Sequence, residues 1–117
     1  MAVNIVNVAS LKGMLVAGNI TTSRASVVPC AANDLCKIHT IIIANIDGVN
    51  SCDVTIEVSV DAGTTFFALA KTVPVPADSS ISILDTPLYL DETDLLAVTA
   101  SVAGDLTYVI SYEMITD

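Results

Sequence analysis

Apolar and polar residues alternate along most of this chain, with the period of two that is typical of β-strands. The clearest example is the segment 52–61, in which Val54, Ile56 and Val58 alternate with polar residues. The turn residues Asp61-Ala62-Gly63 follow it. This pattern predicts a half-buried strand whose apolar face is turned toward a core.

The same alternation predicts strands at 95–102 and 106–114, with Ala103-Gly104-Asp105 between them as a short hairpin turn. Weaker alternation between turn residues predicts further strands at 12–18, 20–28, 37–46, 65–73, 79–84 and 87–90. The best helix candidate, 31–36, is long enough only for a turn. About eight or nine short strands joined by turns predict an all-β fold, an antiparallel β-sandwich or jelly roll.

The segment 37–46 is apolar on both of its faces. Strict alternation places one face at Ile38, Ile42, Ala44 and Ile46, and the other face at Ile41 and Ile43. A strand of this kind lies between two layers or is covered by a partner chain. We therefore take Ile41 and Ile43 as candidate interface residues.

Two adjacent aromatic residues, Phe66 and Phe67, form a second candidate interface. Neighbouring side chains of a strand point to opposite faces, so these two rings cannot both enter one core layer. We expect one of them to point outward or into an interface. Contact with protein is the favoured role, because aromatic anchors often dominate protein interfaces.

The chain has 117 residues, which predicts a single β-sandwich domain over 1–117. Residues 1–10 are expected to form either an edge strand or an extended N-terminal arm that pairs with a neighbouring subunit. The start of the chain has no basic region typical of a signal peptide, so synthesis in the cytoplasm is expected. No apolar stretch approaches the roughly 20 residues of a membrane-spanning helix.

The formal net charge is −9, from 13 acidic and 4 basic residues, and the basic residues are scattered. Nucleic-acid binding depends on clustered Lys and Arg, so the composition argues against it. We expect neither nucleic acid nor membrane as a partner. With 53% hydrophobic residues, the chain has ample material for a core and for contacts with other proteins.

Three cysteines, Cys30, Cys36 and Cys52, are expected to behave as small buried apolar residues. A Cys30–Cys36 bridge stays open as an alternative, because a loop between the two could bring them together. Zinc needs four ligands at typical spacing. The three cysteines and His39 supply the number but no C-x-x-C pattern, so no metal site is expected.

Residues for catalysis are few. His39 is the only histidine, and a lone strand histidine is more often structural or exposed than catalytic. The acidic run 91–94 suits a solvated turn, with calcium binding or glycoside hydrolysis as alternatives. The segment 47–53 also suits a turn rather than a calcium loop. With no glycine-rich phosphate loop or nucleophile motif, we expect no enzyme activity, no catalytic residues and no cofactor.

Several segments in order carry a resemblance to a known group of proteins. These segments are Ile43-Ala44-Asn45-Ile46-Asp47-Gly48, Asp53-Val54-Thr55-Ile56-Glu57-Val58-Ser59, Ala70-Lys71-Thr72-Val73-Pro74-Val75-Pro76-Ala77-Asp78, and 85–101, beginning Asp85-Thr86-Pro87-Leu88-Tyr89-Leu90. Together they resemble small virion structural proteins of tailed bacteriophages, including cyanophages. The resemblance covers roughly 38–114 and is carried by the composite, since each piece alone is an ordinary strand or turn.

This resemblance implies a non-enzymatic β-sandwich protein that is made in the host cytoplasm and assembles in many copies on the virion. The favoured role is a head decoration (cement) protein, a homo-oligomer such as a trimer, that stabilises the capsid by contacts with the major capsid protein. The alternative is a neck, tail or fibre-associated binding module that contacts another virion protein. The cysteines lie outside the recognised pattern.

Overall fold

The computed structural model describes residues 9–116, which form nine β-strands and no α-helix. The strands are β1 (Ser10–Asn19), β2 (Ala25–Pro29), β3 (Asp34–Asn45), β4 (Cys52–Ser59), β5 (Phe67–Val75), β6 (Ser80–Ser82), β7 (Leu88–Leu90), β8 (Leu95–Ala100) and β9 (Leu106–Thr116). Each predicted strand overlaps one of these. The described residues contain no helix that could cross a membrane.

The strands build two antiparallel sheets. In the first sheet the order is β1-β9-β3-β6, and β7 also pairs with β3; in the second it is β2-β8-β4-β5. All strand pairs are antiparallel. The predicted all-β antiparallel sandwich is therefore confirmed.

The prediction of a hairpin at 103–105 is wrong. A turn is present, and Gly104 has a φ of 89°, which favours glycine. However, β8 belongs to the second sheet and β9 to the first, so the turn carries the chain from one sheet to the other. Alternation along a strand shows which side is buried, but the choice of partner strand depends on the whole fold.

The core lies between the sheets and consists of the inward side chains of both. β4 and β8 supply it by the predicted alternation, with Val54 opposite Ala100 and Ile56 opposite Val98. β9 adds Leu106 and Ile110, and the first sheet adds inward isoleucines of β3. Burial of these β-branched and aliphatic side chains removes apolar surface from water and holds the layers together.

The choice of Ile41 and Ile43 as candidate interface residues is wrong, because both side chains are completely buried in the core. The register of β3 against β9 shifts between Ile38 and Thr40, so His39 is an extra residue in β3. A β-bulge of this kind moves all later side chains to the opposite face. Ile38, Ile41 and Ile43 therefore share the core face, and Ile42 points outward.

The predicted N-terminal arm falls almost entirely outside the described residues. Ser10 already begins β1, and the N–H of Ala9 donates to the carbonyl of Thr116 at 2.7 Å. The chain therefore enters the sandwich at the end of the first sheet where β1 and the end of β9 meet.

Candidate interaction surface

The outer face of the first sheet is rich in exposed apolar side chains. Register partners on neighbouring strands share a face, and Ile110, Val16 and Ile41 mark the core face. The opposite face carries the exposed side chains that we call the outer apolar face: Leu11, Leu15, Ile42, Tyr89 and Val109. These residues come from β1, β3, β7 and β9.

β1 contributes the most exposed members of the outer apolar face. The side chains of Leu11 and Leu15 are 61% and 70% exposed. Leu11 lies across from Ile115, which in turn lies across from Leu35. One end of the sheet therefore presents a row of aliphatic side chains across three strands. Exposed apolar side chains grouped in this way are typical of sites that contact other proteins.

Polar residues divide the outer apolar face. His39 Nε2 lies 3.7 Å from Glu113 Oε2, and Lys37 Nζ lies 5.8 Å from the centre of the Tyr89 ring. Lys37 and Glu113 are register partners. The bulge that turns Ile42 outward also places His39 beside Glu113. A partner that covers this face has to satisfy these charges as well as cover the aliphatic groups.

β1 also presents backbone hydrogen-bonding groups at the edge of the first sheet. The N–H of Ile20 donates to the carbonyl of Leu106. Because the backbone groups of successive residues in a strand point in opposite directions, this bond shows that the even-numbered residues of β1 direct their N–H and C=O groups toward β9. The N–H and C=O groups of Leu11, Gly13, Leu15 and Ala17 therefore point away from β9. No described residue pairs with them, and an edge of this kind can accept another strand.

The two phenylalanines have different surroundings. Phe67 begins the edge strand β5 and is 58% exposed. The Phe66 ring is half-buried, with the guanidinium carbon of Arg24 4.0 Å from its centre. Arg24 also pairs with Glu57 through two hydrogen bonds of 2.9 and 3.1 Å. Phe66 thus packs within its own chain, and Phe67 is the one of these two rings that is available to a partner.

A second exposed apolar cluster lies at one end of the sandwich, and we call Ile46, Val49 and Val102 the loop end. Val49 is 84% exposed. The N–H of Ile46 donates to the Asp105 carbonyl at 2.8 Å, which joins the loop after β3 to the turn between β8 and β9. Both loops therefore meet at this end.

The acidic segments form the turns that the sequence predicted. Asp47 Oδ1 accepts hydrogen bonds from the N–H groups of Val49 and Asn50, and these bonds lower the pKa of Asp47 below its usual value. In the 91–94 turn, Asp94 Oδ2 accepts from the N–H of Asp91, and Thr93 has a φ of 65°. Within residues 9–116, no three His, Cys, Asp or Glu side chains are placed to hold a metal ion.

All three cysteines are buried, as the sequence predicted. Cys52 lies near the loop end, with its sulfur 3.4 Å from Ser101 Oγ. Cys30 and Cys36 lie at the opposite end of β3 from Asn45. Burial raises the pKa of both of these thiols, so they are protonated at neutral pH.

The sequence carried a signal for the outer apolar face that simple alternation did not reveal. Leu11 and Leu15 alternate in β1 with Met14 and Val16, so this strand is apolar on both faces. The same is true of β9, where Val109 and Ile115 lie on the face opposite to the core residues Leu106 and Ile110. A search for every strand apolar on both faces, rather than for 37–46 alone, indicates these residues.

No protein-family model matches the sequence, and no curated protein matches it either. Among solved structures, the chain is similar to a protein described as "Bacillus endospore appendages form a novel family of disulfide-linked pili". The identity is 16%, the TM-score is 0.55, and the match covers 92% of this chain and 86% of that one. This likeness supports the sandwich fold and nothing further.

Two structures of a pentameric capsid protein isolated from metagenomic phage sequences are also similar, each with 14% identity and a TM-score of 0.42. The matches cover 85% of this chain and 59% and 63% of those chains. At this level the likeness carries no argument about function.

Proposed function

We propose that this protein is a non-enzymatic structural component of a tailed-phage virion, and that it acts as a head decoration protein. The observation that carries the proposal is the outer apolar face beside the edge strand β1. Leu11 and Leu15 are exposed there, and the adjacent backbone groups of β1 have no described partner. A surface of this kind is stabilised when another subunit covers it.

The strand order supports a fold suited to repeated assembly. If β6 and β7 are taken as two parts of one interrupted strand beside β3, the sheets have the strand order of a jelly roll. Viral capsid proteins use this architecture. The resemblance of residues 38–114 to virion proteins of tailed phages supports the same proposal.

Homo-oligomers such as a trimer are the expected form, because symmetric closed assemblies bury apolar faces and strand edges together. The proposal also includes a role for residues 1–10, as an N-terminal arm. We propose that this segment pairs with a neighbouring subunit. Its alternating apolar residues Val3 and Ile5 fit strand addition to a sheet edge.

The proposal is tested with Leu15→Glu, which places a charge on the outer apolar face. Val60→Glu is the matched control, because Val60 is 66% exposed in the turn after β4. We expect the wild-type chain and the control to sediment as the same oligomer and to bind expanded capsids. We expect Leu15→Glu to shift toward monomer and to bind at least about tenfold more weakly, since a buried unpaired charge is costly.

Two outcomes would overturn this assignment. One is a stable wild-type monomer with no affinity for expanded capsids. The other is equal behaviour of Leu15→Glu and Val60→Glu. Deletion of residues 2–8 leaves β1 complete and tests the arm separately: capsid attachment should weaken while the unfolding temperature stays unchanged.

The loop end favours a second candidate function, a binding module of the neck, tail or fibre. Ile46, Val49 and Val102 form an exposed apolar tip, with the carboxylate of Asp47 beside it. Immunogold labelling of intact particles distinguishes the two functions. Label over the whole head supports decoration, whereas label at one vertex supports the neck or tail.

A further inference from the structure

Cys30 and Cys36 lie side by side although they belong to parts of different sheets. Cys30 directly follows β2 of the second sheet, and Cys36 lies in β3 of the first. Cys30 Sγ donates to the Asp34 carbonyl at 3.2 Å and lies 3.3 Å from the carbonyl oxygen of Leu90. Leu90 is directly across from Cys36 in the β3–β7 pair. Through Leu90, the Cys30 thiol therefore lies beside the strand position of Cys36.

The backbone around Cys30 is fixed on both sides. Its N–H donates to the Asp94 carbonyl at 3.1 Å, and its carbonyl accepts from the N–H of Thr93 at 2.7 Å. The N–H of Asp34 donates to the Ala31 carbonyl, which closes the turn that leads to Cys36. The backbone that carries Cys30 is therefore held beside the start of β3, where Cys36 lies.

We propose that Cys30 and Cys36 form an intrachain disulfide when the protein meets a low-molecular-weight disulfide such as oxidised glutathione. One cysteine thiolate attacks the oxidant and releases one glutathione thiol. The second thiolate then attacks the mixed disulfide, forms the Cys30–Cys36 bond and releases the other thiol. The two cysteines lose two electrons and two protons, and the small disulfide is reduced to two thiols.

This disulfide links the two sheets covalently at the end where β1 begins. It closes the short loop 30–36, which restricts the unfolded chain and raises the unfolding temperature. The raised pKa and the burial of both thiols make oxidation of the folded protein slow. Oxidation is therefore fastest while the chain folds or when this end opens briefly.

Cys52 is the internal control. Its sulfur contacts Ser101 Oγ and lies 3.7 Å from the Val102 carbonyl oxygen. This position is near the loop end, whereas Cys30 and Cys36 lie near the start of β3. Trypsin cleaves after Arg24 and Lys37, so Cys30 and Cys36 remain together in the peptide 25–37. Cys52 falls in the separate peptide 38–71, which allows the two sites to be measured independently.

The full chain is unfolded and refolded with reduced and oxidised glutathione, then alkylated under denaturing conditions and digested. We expect the peptide 25–37 to lose the mass of two hydrogen atoms, to resist alkylation and to regain two reactive thiols after reduction. Peptide 38–71 should carry alkylated Cys52. The unfolding temperature should be higher for the oxidised protein and should return to the lower value with reductant.

Cys52→Ser should behave as the wild type, and Cys36→Ala should lose both the mass change and the stabilisation. The wild-type mass measurement stands by itself if Cys36→Ala does not fold. Two alkylated cysteines in 25–37, a stable glutathione adduct on either, or a disulfide to Cys52 or to another chain would each overturn the proposal.

Discussion

Asn45 Nδ2 donates a hydrogen bond of 2.8 Å to the carbonyl oxygen of Val75, and this bond joins the end of β3 in one sheet to the end of β5 in the other. Asn45 is buried, and its amide also donates to the Asn50 carbonyl and accepts from the N–H of Asp47. One side chain thus satisfies three backbone groups where the loop end meets the core.

Replacement of Asn45 by Ala should therefore destabilise the protein. The change leaves buried backbone groups without partners, so we expect the free energy of unfolding to fall by about 2–3 kcal/mol. Urea unfolding followed by circular dichroism measures the loss. Asn19→Ala, at the exposed end of β1, is the control and should change the value by less than about 0.5 kcal/mol. Equal effects of the two substitutions would contradict this role of Asn45.

The bulge at His39 predicts that substitution of two adjacent isoleucines will destabilise the protein to very different degrees. Ile41 is fully buried, whereas Ile42 lies on the outer apolar face. Ile41→Ala should cost about 2–5 kcal/mol of unfolding free energy through lost burial and a cavity. Ile42→Ala should cost less than about 1 kcal/mol in the monomer. The same urea titration checks both, and a larger loss at Ile42 would show that β3 has the unbulged register.

Two glycines of β1 offer a second matched comparison. A Cβ at Gly18 would lie 2.9 Å from the hydroxyl oxygen of Tyr108 and 3.2 Å from two of its ring carbons, whereas a Cβ at Gly13 would meet no atom within 4 Å. Gly13→Ala should stabilise the strand by about 0.5 kcal/mol through lower unfolded-state entropy. Gly18→Ala should lose that gain and be destabilised by about 1 kcal/mol.

Thermal unfolding of both glycine variants provides the measurement. Because both residues lie in the same strand, propensity alone predicts equal effects. A Gly18→Ala variant as stable as Gly13→Ala would mean that the Tyr108 ring moves aside at no cost.

Asp61 makes the stability of the turn after β4 dependent on pH. The N–H of Thr65, at 2.8 Å, and the hydroxyl of Ser59 donate to its carboxylate, which lowers the pKa of Asp61 below 3.8. A carboxylate with a lowered pKa in the folded state stabilises the fold above its unfolded pKa, and this contribution is lost as the pH falls through the folded pKa.

The wild type should therefore be more stable than Asp61→Asn at neutral pH, and the difference should shrink below pH 3.8. Unfolding temperatures of both proteins across this range test the prediction. A difference that does not change with pH would show that the carboxylate charge is not what holds the turn.

The alternation of residues was sufficient to predict strands where each strand has one core face. In β4 and β8, Val54, Ile56, Leu96 and Val98 lie on the core side as their spacing indicates. The prediction failed at β3, because a bulge depends on the register with β9 and not on the composition of β3 itself. The same spacing rule therefore assigned Ile41 and Ile43 to the wrong surface.

For the candidate interface, the sequence predicted which kinds of residue take part but not their surroundings in the fold. The sequence indicated that one of Phe66 and Phe67 points outward, and Phe67 is exposed. Nothing in the sequence indicated that Phe66 packs beneath Arg24, because the two residues are far apart in the chain and meet only in the folded protein. The use of either ring in an interface stays a prediction.

The sequence by itself determined that this protein is an antiparallel β-sandwich, because side-chain alternation is a local property and shows which face of each strand leaves water. The tertiary structure decided which strands pair, where the bulge in β3 falls, that Leu11 and Leu15 extend an apolar outer face, and that Cys30 lies beside the position of Cys36 in β3. Each of these depends on contacts between residues far apart in the chain, and their energies become defined only when both sheets are packed together.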